Sequence, residues 1–278
     1  MGDLVRIDRI DEVAMITLDR PAARNAMNVE LAQATVDALG ACQDAAAIVL
    51  TGTDPAFCAG LDLRNLGTDR LVDLPPFIAS VASSRVPVIA AVNGAAVTGG
   101  LELALACDFL IASERARFAD THLRVGVYPG PVLVDLPRRV GGAWARQMSL
   151  TGDFVDAATA MRIGLANEVV AHEDLLPRAL RLAAAIAEQD RRMVAVARRD
   201  WDATSGLPVR DAHRLHLETA HRARFSGSSS SELRSRGSAV IERARGQQSP
   251  PLDGLDESVN TTEHEPMIGA DSSPPPAG

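Results

Sequence analysis

Residues 4–10 and 13–19 alternate apolar and polar positions on either side of Asp11-Glu12. That is the period of a half-buried strand, and it predicts a β-hairpin. The spacing then becomes helical. Asn28 is placed to cap a helix running to about residue 40, with Leu31, Ala34, Ala38 and Leu39 on its inner face. Two unbroken apolar runs, AAIVLTG (46–52) and VPVIAAVNG (86–94), read as buried strands, the second bounded by Pro87 and Gly94. Between them lie a turn-rich link, FCAGLDLRNLG, and a helix over about 70–82. A helix from Gly99 to Cys107 and a strand, DFLIAS, follow. Such alternation predicts an α/β fold with parallel strands and right-handed crossovers.

From about residue 143 the pattern is helical. DAATAMRIG predicts a short capped helix ending at Gly164, and LLPRALRLAAAIAEQ and RRMVAVARRDWDAT predict amphipathic ones. Helical patterns at 208–225 and 231–246 follow, with SGSSSSE (226–232) read as a flexible turn. Together they suggest a C-terminal helical layer that packs on the core or on neighbouring subunits. From residue 248 the chain is rich in Pro, Ser and acids and poor in apolar residues, too poor to offset its ordering entropy. The expected organisation is a core over 1–190, a helical segment over 191–247 and a disordered acidic tail over 248–278.

Composition narrows the functional classes. The net charge of −8 is concentrated at the end: six acids and no Arg or Lys follow Gln248, which leaves about −2 for the body. Nucleic acid is therefore not an expected partner. All 28 basic residues are Arg, so Schiff-base and lysine-base mechanisms are excluded. Cys42, Cys58 and Cys107 are not grouped as metal ligands and read as reduced thiols. No apolar run has the length of a membrane span and no secretory leader pattern opens the chain, so the expected location is cytoplasmic. There is no G-x-G-x-x-G and no P-loop, which disfavours a nucleotide cofactor.

The candidate chemistry begins at VTGGLELALACD (97–108), where Gly99-Gly100 opens an apolar helix that carries Glu102. A glycine turn at a helix start exposes N–H groups that can be aimed at developing negative charge. Glu102 reads either as an acid/base group in the same cavity or as a first-turn charge. The bend at Ala59-Gly60 follows the preceding strand and can add a second N–H near Gly99. Asp62 beside it reads as a helix cap. His213, His216 and His221 share one predicted helix, with no acidic motif to complete a metal site. Cys58 and Tyr128 read first as packing residues, Tyr128 with a second reading at an acyl pocket.

RPAARNAMN (20–28), FCAGLDL (57–63), PVIAAVNGAAVTGGLELALACD (87–108), FADTHLRVGVYPG (118–130) and LTGDFVDAATAMRIGLANEVV (150–170) occur in order. As an ordered set they resemble the enoyl-CoA hydratase/isomerase, or crotonase, superfamily over residues 4–246. The resemblance implies a spiral of ββα units with C-terminal helices that build a homotrimer or hexamer. It implies an acyl-CoA thioester as ligand and no separate cofactor. By position it implies oxyanion N–H groups at Ala59 and Gly99. Gly60, Leu61 and Asp62 line the substrate bend, and Arg24 approaches the CoA phosphates.

Thr98 stands where the family usually has the first of three glycines, and Glu102 matches the first of the two hydratase glutamates. The second glutamate, four residues after Phe118, is His122 here, with Thr121 in place of the family's proline. Hydration of a 2-enoyl-CoA is the expected activity, with Glu102 acting on the water and His122 replacing the second carboxylate. The residues alone leave His122 open between an acid–base group and an ordinary loop residue, with Asp120 placed either to orient it or to face solvent. Thioester hydrolysis, decarboxylation, isomerisation and non-catalytic acyl-CoA binding remain as alternatives.

Overall fold

The computed structural model describes residues 4–65, 74–223 and 229–246. The hairpin forms as expected, with β1 (Val5–Ile10) antiparallel to β2 (Val13–Leu18) and Ile10 opposite Val13. Asn28 caps α1 (Val29–Ala41), its Oδ1 accepting from the Leu31 N–H at 3.0 Å. The buried face of α1 is Leu31, Ala32, Thr35, Ala38 and Leu39, so Ala34 is only half-buried, contrary to expectation. Thr35 is accommodated there because its hydroxyl donates to the Leu31 carbonyl at 2.7 Å.

The apolar runs become β3 (Ala47–Gly52), β5 (Val88–Val92) and β7 (Phe109–Ser113). With the hairpin and β10 (Glu168–Val170) they make a six-stranded sheet ordered β1-β2-β3-β5-β7-β10. Every neighbouring pair after the hairpin is parallel. A second sheet is made of strands too short for a hydrophobic period to reveal: β4 (Ala56–Cys58), β6 (Ala95–Val97), β8 (Arg117–Ala119) and β9 (Val155–Asp156). Its order is β4-β6-β8-β9, with the first three parallel and β9 antiparallel. A long strand, a short strand and a helix therefore recur. For example, β5 and β6 lead into α3 (Gly99–Leu105), and β7 and β8 into α4 (Val132–Val140).

α2 spans Phe77–Ala82, and the part of the expected 70–82 helix before residue 74 lies outside the described residues. Helical structure resumes at α4, about ten residues earlier than the pattern suggested. Pro131 and Pro137 hide it: Pro137 sits inside the helix without an N–H to donate. α5 (Gly142–Thr151) and α6 (Ala157–Arg162) follow, α6 capped by the Asp156 carboxylate accepting from the Thr159 N–H at 2.8 Å.

The C-terminal helices differ from one another. α7 (Leu175–Ala187) packs Leu175, Ala179 and Ala183 against Val49, Ile89 and Ile111 of the main sheet. α8 (Arg191–Thr204) and α9 (Val209–Ala223) bury no residue fully. The chain divides into a unit over Met1–Ala223 and another over Arg224–Gly278, whose described part holds α10 (Ser230–Gly246). Of the expected 226–232 turn, residues 226–228 lie outside the described residues and 230–232 begin α10. The expected tail over 248–278 also lies outside them.

The tightest contact in the fold joins α3 to β4. A methyl group on Gly100 would stand 2.0 Å from the Cys58 carbonyl oxygen. Gly100→Ala is expected to destabilise by about 3 kcal/mol, lowering Tm by roughly 6–12 °C. Thermal unfolding of the purified variant checks this.

Candidate active site

Because β4, β6 and β8 are parallel neighbours, the bends after their carboxyl ends lie side by side: Ala59–Leu61, Thr98–Gly99 and Asp120–His122. This edge is where open parallel sheets gather ligand groups. Gly60 has φ +92°, and a Cβ there would meet the Val97 carbonyl oxygen at 2.7 Å and the Gly99 nitrogen at 3.4 Å. Only glycine fits that conformation and that gap.

Gly99 is the first residue of α3, so its N–H has no acceptor within the helix. A methyl group on Gly99 would lie 3.8 Å from the Leu61 nitrogen. The Leu61 N–H has no hydrogen-bond acceptor among the described residues. The expectation for Ala59 is corrected: its N–H donates to the Arg24 carbonyl at 3.1 Å. The pair of N–H groups facing one another is therefore Leu61 and Gly99.

Thr98 takes φ +55°, a region costly for a branched side chain by about 1–3 kcal/mol. Two contacts hold it. Its N–H donates to the Ala119 carbonyl at 2.8 Å, and its hydroxyl is 2.7 Å from that of Thr121.

Glu102 is 5% exposed and points at the start of α4. Its Oε1 accepts from the Val132 N–H at 3.1 Å, and the Gly130 N–H is also directed at the carboxylate. Burial raises its pKa, and these two N–H groups with His122 offset only part of that. His122 Nε2 lies 3.9 Å from Glu102 Oε2. On the other side of the ring, Nδ1 is 2.6 Å from Asp120 Oδ1. Asp120, 1% exposed, also accepts from the Ser149 hydroxyl at 2.6 Å through Oδ2. Burial pushes the Asp120 carboxyl up, but the bonds from His122 and Ser149 outweigh it and hold the pKa below its ordinary value. Of the two readings of Asp120, facing solvent is excluded.

The remaining predicted residues surround this centre. Asp62 caps a turn by accepting from the Arg64 N–H at 3.2 Å, as expected of a cap. Its other oxygen pairs with Arg20 at 2.8 Å, which engages the carboxylate within the protein. Burial raises the Asp62 pKa and the Arg20 and Arg64 contacts more than reverse it. Arg24 has an exposed side chain next to the Ala59 bend that its carbonyl anchors. Cys58 is buried and its thiol is pushed up to about 12 by desolvation. Tyr128 is not packed: it is 84% exposed, at a groove of about 530 Å³ shared with Leu123, Val132 and Ser149. His216 pairs with Asp200, and no group of three metal-ligating side chains occurs among the described residues.

Sequence reasoning missed Ser149, Gly130 and Val132. Ser149 carries no local signal because it reaches Asp120 from α5. The Pro129-Gly130-Pro131 stretch, a turn leading into a helix start, was the available signal for N–H groups aimed at Glu102.

Two mostly parallel sheets whose loops set paired N–H groups beside a buried carboxylate at a helix start are the arrangement of an enzyme of the crotonase class. Residues 8–232 match the model of the enoyl-CoA hydratase/isomerase family. The chain belongs to that family. A probable enoyl-CoA hydratase of Rhizobium meliloti (strain 1021) is 45% identical over 184 residues, covering 63% of this chain and 72% of that protein. The crystal structure of enoyl-CoA hydratase from Mycobacterium tuberculosis H37Rv is 45% identical, with a TM-score of 0.66, covering 82% of this chain and 100% of that one. An enoyl-CoA hydratase structure from Bacillus anthracis is 26% identical, with a TM-score of 0.79, covering 87% and 96%.

A raised carboxyl pKa costs stability wherever the unfolded chain ionises first. That cost begins above about pH 4.3, the free glutamate value, and is complete once pH exceeds the folded pKa. Glu102→Gln keeps the acceptor for the Val132 N–H and removes the charge. Its Tm at pH 8 is expected to equal or exceed that of the wild type, with any gain vanishing near pH 4. Calorimetry across that pH range checks this.

Proposed function

We propose that the protein is an enoyl-CoA hydratase, a lyase adding water across the double bond of a 2-enoyl-CoA thioester. The observation that carries this reading is the approach of His122 Nε2 to Glu102 Oε2 at 3.9 Å, beside the Leu61 and Gly99 N–H groups. The thioester oxygen accepts from both N–H groups, which stabilise the enolate formed when water adds at Cβ. His122 Nε2 takes the proton of the attacking water. Glu102, whose burial favours its protonated form, gives its proton to Cα. Transfer of the proton from His122 to Glu102 restores the starting state.

CoA itself belongs to the substrate, and the reaction needs no further cofactor. Arg24, exposed and bonded through its carbonyl to the Ala59 bend, is assigned to the CoA phosphates. No helix among the described residues is long and apolar enough to cross a membrane, which agrees with a cytoplasmic enzyme. The apolar groove of about 640 Å³ between α8 and α9, with Trp201 69% exposed, supports assembly as a homotrimer or hexamer through these helices. Light scattering giving a monomer at micromolar concentration would reject that assembly.

Purified protein incubated with a panel of enoyl- and acyl-CoA thioesters is expected to yield 3-hydroxyacyl-CoA, a gain of one water by mass spectrometry. Free CoA or loss of CO2 would instead identify hydrolysis or decarboxylation. Glu102→Gln and His122→Ala are each expected to lower hydration by about 10²–10⁴ with little change in acyl-CoA affinity. His122→Glu, which restores a second carboxylate, should retain hydration. The rate should fall as pH rises and Glu102 ionises. An unchanged rate in His122→Ala across that range would remove His122 from the chemistry.

A further inference from the structure

We infer that Asp120 is a positioning residue that acts through His122: it fixes the imidazole proton on Nδ1 and presents an unprotonated Nε2 to the reacting water, while Ser149 fixes Asp120. The kinetic part of this inference rests on the proposed hydratase reaction. The tautomer does not.

The geometry leaves little choice of proton arrangement. Asp120 Oδ1 stands 2.6 Å from His122 Nδ1 and 3.3 Å from the His122 backbone N–H. Its Oδ2 accepts from Ser149 at 2.6 Å. An ionised carboxylate only accepts, so the proton in the short contact belongs to Nδ1. The neutral ring then carries its lone pair on Nε2, the atom that faces Glu102. The bonds that hold the Asp120 pKa down keep the carboxylate ionised in this arrangement.

The segment is also fixed as a unit. Thr121, between Asp120 and His122, meets the Thr98 hydroxyl at 2.7 Å, which ties it to the loop that carries the Gly99 N–H. Thr98, Thr121 and His122, which differ from the residues the family resemblance leads one to expect, are thus joined through the 120–122 segment to Asp120 and Ser149. The titratable groups that face His122 are Asp120 on its own segment and Glu102 from α3; α5 contributes the neutral Ser149 hydroxyl through Asp120.

Asp120→Asn tests the inference. An amide can donate to Nδ1 as well as accept, so the tautomer is no longer enforced. Turnover should fall by about 10²–10⁴ with KM little changed. A loop-bracing role would lower the rate and leave the ring proton on Nδ1. In protein labelled with 15N-histidine, the wild-type His122 signals should report the Nδ1–H tautomer and those of Asp120→Asn a mixture.

In a His122→Ala background, Asp120→Asn should cost almost nothing further. Ser149→Ala, the milder change, should lower turnover about tenfold and shift the same signals partway. If Asp120→Asn does not fold, Ser149→Ala carries the spectroscopic comparison. An unchanged His122 tautomer in the variant that folds would overturn the inference, as would an equal cost of Asp120→Asn with and without His122. A wild type that hydrates no enoyl-CoA would overturn the proposed reaction, and the 15N comparison would still decide the role of Asp120.

Discussion

The absence of a side chain at Gly100 lets the first turn of α3 rest directly on the Cys58 carbonyl, and the seating of the Gly99 N–H and Glu102 in the site depends on that contact. It brings the start of α3 against the Gly60 bend, so that the Leu61 and Gly99 N–H groups come from two loops and face one region. It also fixes the rotation of α3, which directs Glu102 across to the start of α4 rather than into solvent. The short β4-β6-β8 sheet holds the three loops at constant spacing. Its three strands, three residues each, also bury Phe57 and Phe118 in the core.

Within that frame, two buried carboxylates 2.6 and 3.9 Å from one imidazole are driven in opposite directions. Glu102 receives backbone N–H groups, too few to offset its desolvation. Asp120 receives a hydroxyl, an imidazole and a backbone N–H, enough to keep it ionised despite burial. The same cavity therefore offers a proton donor on one side of the ring and a fixed negative charge on the other. Two glutamates sharing one water would reach such a division through mutual repulsion. A histidine backed by an aspartate reaches it through the choice of hydrogen-bond partners.

The long strands and the caps were legible because their signals are local: an unbroken apolar run for β3, a side chain three residues before its N–H for Asn28 and Asp156. The short strands were not, since two or three residues hold no period, and α4 was masked by its prolines. In the site, Glu102 was found through its place after the glycine turn, and His122 only through the family resemblance. The N–H expected opposite Gly99 was misplaced by two residues, on Ala59 instead of Leu61, because sequence does not show which peptide N–H pairs with Arg24. Ser149 meets Asp120 across 29 positions of sequence, and only the folded arrangement of α5 beside β8 brings them together.

Cys58 ends β4, three residues before Leu61 and next to the loop against which a thioester carbonyl would be held. A thiolate there would exchange with the bound thioester, taking the acyl group onto the protein and releasing CoA. Burial pushes the Cys58 thiol up to about 12, so the protonated thiol is the favoured form at neutral pH. The sulfur instead points its proton toward the Gly60 carbonyl at 3.9 Å. The packing that removes this residue from water thus also keeps its sulfur in the protonated, weakly nucleophilic form.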